Sequence, residues 1–156
     1  MSKPVDFSAY QPVDFSAYQT TLAVKDACLC LHTQRAARVL ARRFDEALRP
    51  IGLTSGQFSL LNSLNRPQSP TLGAVADLLA MDRTTVTANL KPLERRGLLT
   101  LAVDGADRRI RRAALTDAGR TVLSEATVIW RREHGVLEEE LDGAAPRLRE
   151  DLRKVA

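Results

Sequence analysis

The stretch from Met81 to Leu115 constrains the fold more than any other part of the chain. "MDRTTVTANLKPLERRGLL" opens on Asp82, whose carboxylate can cap a helix, and closes near Gly97, which can stop one. Between them Val86, Leu90 and Leu93 step by four and three, so the spacing predicts a helix over 83–96 with one apolar face. "LLTLAV" (98–103) and "RIRRAAL" (109–115) follow at once. Leu99, Leu101 and Val103 alternate with shorter or polar residues, and "DGAD" between the two runs is a turn signal. The pair therefore reads as a hairpin. Pro92 is the one discordant residue, because it withholds a backbone hydrogen bond from Ala88.

The flanking sequence supplies further helices. From Val24 to about Arg49, Ala37, Leu40, Phe44, Leu48 and Ile51 form an apolar stripe, with Arg35, Arg38, Arg42, Asp45 and Arg49 on another face. Asp45 and Arg49 make a favourable i,i+4 pair, and Pro50 and Gly52 end the helix. Thr54 caps a short helix through Phe58, Leu60, Leu61 and Leu64, which "NRPQSP" breaks. Thr71 caps another over 72–80, with Leu72, Val75 and Leu79 inward. Thr116 caps a long helix to about Leu141, with Val122, Ala126, Ile129, Trp130 and Leu137 on one side. Gly143 interrupts it, and a last amphipathic helix covers 145–155. The expected fold is mainly α with a small β-hairpin: a winged helix-turn-helix flanked by long helices. At the other end "PVDFSAYQ" occurs at 4–11 and again at 12–19. A period this short fits no solenoid, and residues 1–22 are expected to be poorly ordered.

A chain of 156 residues can bury one real core, and with 4% aromatic residues that core must come mostly from Leu, Val and Ala. No apolar run approaches the roughly 20 residues that span a bilayer, and no basic-then-apolar start suggests a signal peptide. Cys28 and Cys30 make no disulfide framework, so a cytoplasmic setting is expected. The net charge is +4, but residues 83–112 alone carry eight basic and three acidic residues, against seven and nine in 116–156. Positive charge concentrated in this way suits a polyanion-binding surface.

With Val86, Leu90 and Leu93 inward, the opposite face of the helix carries Thr84, Thr87, Ala88, Lys91 and Arg95, with Arg83 at its N-terminal end. Small side chains let a helix approach base edges in a major groove. Threonine methyls touch the thymine methyl, and Arg or Lys bonds guanine. The helix N-terminus adds N–H groups for phosphate. Arg108 and Arg109 at the hairpin tip can enter a minor groove, and Asp104 or Asp107 can orient an arginine there.

From about residue 26 to 142 the chain resembles the MarR family of bacterial transcription regulators. The resemblance rests on "GLTSGQFSLLNSL", "VADLLAMDRTTVTANLKPLERRGLL" and "DGADRRIRRAALTDAGR". It implies a single domain over 23–156. Residues 53–116 would form the DNA-binding lobe, and 23–52 with 117–156 would form the dimerisation helices of a homodimer. It implies a regulator, most often a repressor, that binds double-stranded DNA at an inverted repeat through Arg83, Thr84, Thr85, Thr87, Ala88, Lys91, Arg108 and Arg109. Ala106 departs from the pattern, standing where the family's wing often has an arginine. An effector is expected in the cleft beside the first helix, near His32, Arg35 and Phe44. An apolar pocket edged by Arg35 would suit a small aromatic or lipophilic acid.

Other signals are weaker. The position of Cys30 resembles that of the oxidised cysteine in MarR-like sensors of organic peroxides. Phe44, Gln34 and Ser55 stand where those sensors have tyrosines, and the plainer expectation for Cys30 is a buried small hydrophobe. His32 and His134 are too scattered for a zinc site. Neither a metal, a cofactor nor catalysis is expected. Rival readings are a winged-helix module that binds protein, a redox-sensing regulator using Cys30, and a thiol redox enzyme; the lack of C-x-x-C opposes the last.

Overall fold

The computed structural model describes residues 15–155. In order these form α1 (Phe15–Ala27), α2 (Leu29–Leu48), a 3-10 turn (Arg49–Ile51), α3 (Ser55–Leu64), α4 (Leu72–Leu79), α5 (Arg83–Arg95), β1 (Leu99–Val103), β2 (Arg111–Leu115), α6 (Asp117–Glu140) and α7 (Ala145–Arg153). The chain divides into two compact units, one ending at Val39 within α2 and one beginning at Leu40.

The first unit departs from expectation twice. Residues 15–22, read as part of a poorly ordered start, lie in α1, while 1–14 fall outside the described residues. Phe15–Ala27 contains neither proline nor glycine, and the Thr20 and Thr21 hydroxyls donate to the carbonyls of Ser16 and Ala17. The apolar residues of α1 form no stripe, which hid the helix from a periodicity reading. The single helix expected from Val24 to Arg49 is interrupted at Cys28. There the Cys28 sulfur accepts the Leu31 N–H at 3.4 Å, in the manner of a helix cap, while Cys28 N–H still reaches the Val24 carbonyl at 2.9 Å.

In the second unit the caps fall where the sequence puts them. Thr54 and Gln57 form a reciprocal capping box on α3, Thr71 accepts the Ala74 N–H, Asp82 that of Thr85, and Thr116 that of Gly119. Asp45 does not pair with Arg49 as expected. Its carboxylate accepts the Ser55 N–H at 2.6 Å, and Arg49 pairs with Glu46. A half-buried carboxylate gains more from an unsatisfied N–H at a helix start than from a solvated ion pair. Pro92 sits inside α5 without ending it. The hydrogen bond it cannot donate would have gone to Ala88, on the exposed face, where water can substitute.

The core joins Leu48, Leu53, Leu61, Leu64 and Val75 to Val86, Leu90 and Leu93 of α5, Leu99 and Ala113 of the hairpin, and Leu123 and Ala126 of α6. Arg43 of α2 bonds both Glu133 and Glu140 of α6, which hold its guanidinium pKa above the ordinary value. The strands pair antiparallel, with Leu99 opposite Leu115 and Val103 opposite Arg111. Burial falls along β1, from Leu99 at 1% exposed to Val103 at 55%, as the hairpin leaves the body. Among the described residues no helix is long and apolar enough to cross a membrane.

Candidate nucleic-acid interface

The inward residues Val86, Leu90 and Leu93 are fully buried, and this fixes which face of α5 looks out. Thr84, Ala88, Lys91 and Arg95 are exposed on that face, and Thr87 is half-buried. The Thr87 hydroxyl donates to the Arg83 carbonyl at 2.8 Å, which fixes its rotamer and leaves the oxygen lone pairs as acceptors. Thr85 differs from its neighbours: its hydroxyl and its N–H both bond Asp82. These bonds lower the Asp82 carboxyl pKa, so Thr85 holds the start of α5 in place. Arg83 lies across Gly73 of α4; a Cβ there would stand 3.2 Å from its Nη2. The absence of a side chain at residue 73 is what gives the guanidinium this seat, and no local pattern in the sequence pointed to it.

The wing is built on a clamp that was not anticipated. Arg112 bonds Asp104 across the base of the tip and the Ser69 carbonyl, at 2.7 Å, in the loop before α4. Asp104 also accepts the N–H groups of Ala106 and Asp107. The Arg112 guanidinium first, then these two N–H groups, hold the Asp104 carboxyl down at about 2. At the tip Arg109 bonds Asp107, whose pKa is lowered by that pairing, and Arg108 is exposed. Asp107 thus orients Arg109 as the sequence suggested, whereas the partner of Asp104 is Arg112.

The eight basic residues of this segment fall into two groups. Arg96 is committed to the Gly52 carbonyl at 2.8 Å, Arg109 to Asp107, and Arg112 to Asp104 and Ser69. Arg83, Lys91, Arg95, Arg108 and Arg111 make no ion pair among the described residues. The segment's two aspartates are both engaged, and the remaining acid, Glu94, accepts the Leu101 N–H. Uncompensated positive charge therefore lines α5 and the wing, beside the positive end of the α5 dipole.

The other expected site residues lie elsewhere. His32 and Arg35 belong to residues 15–39, both exposed, with the His32 ring 3.1 Å from the Asp26 carbonyl. Phe44 belongs to residues 40–155 and is half-buried. Cys30 is exposed rather than buried, and the Gln34 amide donates to its sulfur at 3.1 Å. Residues 29–39 of α2 are almost all exposed, so there is nothing around Cys30 to bury it. Among the described residues no group of three or more His, Cys, Asp and Glu could hold a metal.

Comparison with known proteins agrees with this architecture. A model of the MarR family matches residues 51–110. The transcriptional regulator MosR of M. tuberculosis, solved in complex with DNA, is 39% identical. The match covers 82% of this chain and 92% of that one, with a TM-score of 0.71. The transcriptional repressor CouR, solved on a 23-mer DNA duplex, is 29% identical over 85% of this chain and 94% of that one, with a TM-score of 0.74. BpsR of Bordetella bronchiseptica, whose DNA binding is regulated by 6-hydroxynicotinic acid, is 26% identical over 78% and 98%, with a TM-score of 0.59.

Proposed function

The chain belongs to the MarR family of transcriptional regulators, and from that premise we propose that it binds operator DNA sequence-specifically as a homodimer and is released by a small-molecule effector. One observation carries the DNA reading: a helix face of Thr84, Thr87, Ala88 and Lys91, free of acidic residues, stands in the same compact unit as a wing carrying Arg108 and Arg109 at its tip. In this reading α5 enters the major groove with Arg83 leading, and Thr87 and Lys91 meet base edges. The wing arginines take phosphates or the minor groove. MosR and CouR have each been solved in a complex with DNA, which supports the same role here.

The dimer is supported by apolar side chains that the chain leaves in water. Leu148 and Leu152 stand at helical spacing on α7, with Val155 just past its end, and the three are 41–73% exposed; Val24, Leu29 and Val39 are more than half exposed. A second copy covering such faces would bring them out of water. Effector release is supported by the regulation of BpsR.

The test of the reading helix is the double variant Thr87→Ala with Lys91→Ala. It should lose operator preference in a gel shift while circular dichroism and sedimentation stay as in wild type. Unchanged affinity with unchanged sequence preference would remove α5 from the role.

A further inference from the structure

Gly73 stands at the second position of α4, in "TLGAVADLL", and the backbone there does not require a glycine. Gly52, Gly97 and Gly143 take positive φ angles, whereas Gly73 does not. A glycine in a regular helix gives up helix-forming tendency relative to alanine. What it yields at this position is room. A Cβ at residue 73 would meet Nη2, Cζ and Nε of Arg83 at 3.2, 3.4 and 3.4 Å. Three atoms of one guanidinium at nearly one distance mean that the group lies across the glycine. It lies closer than an ordinary contact of about 3.5–4 Å would leave beside a methyl group.

This seat holds Arg83 differently from other arginines of the segment. Arg96, Arg109 and Arg112 are held by hydrogen bonds and spend donors on them. The Arg83 guanidinium makes no hydrogen bond or ion pair among the described residues, so packing limits its movement while its N–H donors stay available. A long side chain restricted before binding loses less freedom when it binds. Its place also matters. Arg83 opens α5, and its guanidinium rests on the start of α4. In a helix-turn-helix the first helix crosses the sugar–phosphate backbone while the second enters the groove. A guanidinium seated on the first helix therefore stands where a phosphate passes. We propose that Gly73 is a positioning residue, which seats Arg83 on α4 so that the guanidinium takes a backbone phosphate as α5 enters the groove. The assignment rests on the DNA reading above and sharpens it. Phosphate contacts fix register and orientation and carry no sequence information, so Arg83 sets how α5 is docked and the residues behind it set what is read.

The test varies the seat and leaves the arginine in place. Gly73→Ala pushes the guanidinium by a few tenths of an ångström, and Gly73→Leu fills the seat. Both introduce a better helix former, so the thermal midpoint should not fall. The operator is selected by wild type from a pool of random duplexes, and an unrelated duplex from that pool is the reference. In gel shifts with the full-length chain, Gly73→Leu should weaken both duplexes by about fivefold or more, Gly73→Ala less, and the order of preferred sequences should stay the same. The slope of log affinity against log salt should flatten by about 0.9, the share of one phosphate. In an Arg83→Ala background, where no guanidinium uses the seat, Gly73→Leu should change affinity by less than about twofold. An equal loss in that background marks a packing defect and overturns the proposal. A loss confined to the selected operator makes Arg83 a base reader and overturns the phosphate assignment. A wild type that binds DNA, matched in affinity and slope by Gly73→Leu, overturns this inference alone. A wild type that binds no duplex overturns the proposed function and this inference with it.

Discussion

Eight basic residues lie between Arg83 and Arg112, yet they divide by what they touch. Lys91 and Arg108 face solvent, whereas Arg112 is held by Asp104 and the Ser69 carbonyl. Removing Lys91 would take away a proposed groove contact; removing Arg112 takes away the wing's footing. The Asp104 carboxyl sits at about 2 against an ordinary 3.8. A carboxyl depressed in the folded state stabilises above its ordinary pKa and loses that contribution as pH falls through the folded value. The clamp should therefore hold unchanged from pH 8 to about 4 and loosen between about 4 and 2. The Asp104 carboxyl resonance, followed by NMR, should titrate near pH 2 in wild type and near the ordinary value in Arg112→Ala. An ordinary midpoint in wild type would show that the clamp does not form in solution.

At the scale of elements, α6 is fixed to the turn between α5 and β1 by backbone contact. The Thr116 N–H donates to the Leu98 carbonyl at 3.1 Å and its hydroxyl to Gly97 at 2.6 Å. Gly119 lies so close that a Cβ would stand 1.9 Å from the Leu98 oxygen. A backbone carbonyl cannot swing aside as a side chain can. Gly119→Ala should therefore destabilise the protein by about 1–3 kcal/mol or more, read as a lower thermal midpoint. Gly135, with nothing within 4 Å of its would-be Cβ, supplies the control: Gly135→Ala in mid-helix should be neutral or stabilising. The wing makes a different forecast. Replacing Arg108 and Arg109 with alanine should weaken binding across most sequences and flatten the salt slope by up to about 2, since each phosphate contact contributes roughly 0.9. Affinity and slope equal to wild type would take the wing out of the interface.

At the scale of the whole molecule the question is assembly. The exposed Leu148 and Leu152 stand at positions a helix puts on one face of α7, with exposed Val155 just past its end, which suits a self-complementary contact. A C2 dimer that placed two copies of α5 about one DNA turn apart, roughly 34 Å, would require an inverted-repeat operator. Sedimentation at micromolar concentration should give a dimer, and Leu148→Glu with Leu152→Glu should shift it toward monomer and weaken operator binding. A monomeric wild type, or a minimal operator without two-fold symmetry, would contradict the assembly.

The helix starts were legible because each cap and its partner lie within three residues. Thr54, Thr71, Asp82 and Thr116 each accept an N–H three positions on, and no distant contact is needed to foresee that bond. The apolar spacing of Val86, Leu90 and Leu93 determined equally well which face of α5 remains for a partner. What local spacing cannot carry is a choice among partners brought together by folding. Asp45 could have paired with Arg49, four residues away, and instead caps Ser55, ten residues on. Arg43 finds Glu133 and Glu140 some ninety residues later, and Arg112 reaches back to Ser69. The rings of Phe58 and Trp130 meet in the same way. Each of these links gains its strength from groups that are neighbours only after the core has formed, so the local pattern decided the helices and the exposed face of α5. Tertiary packing alone decided which of their charges stay free.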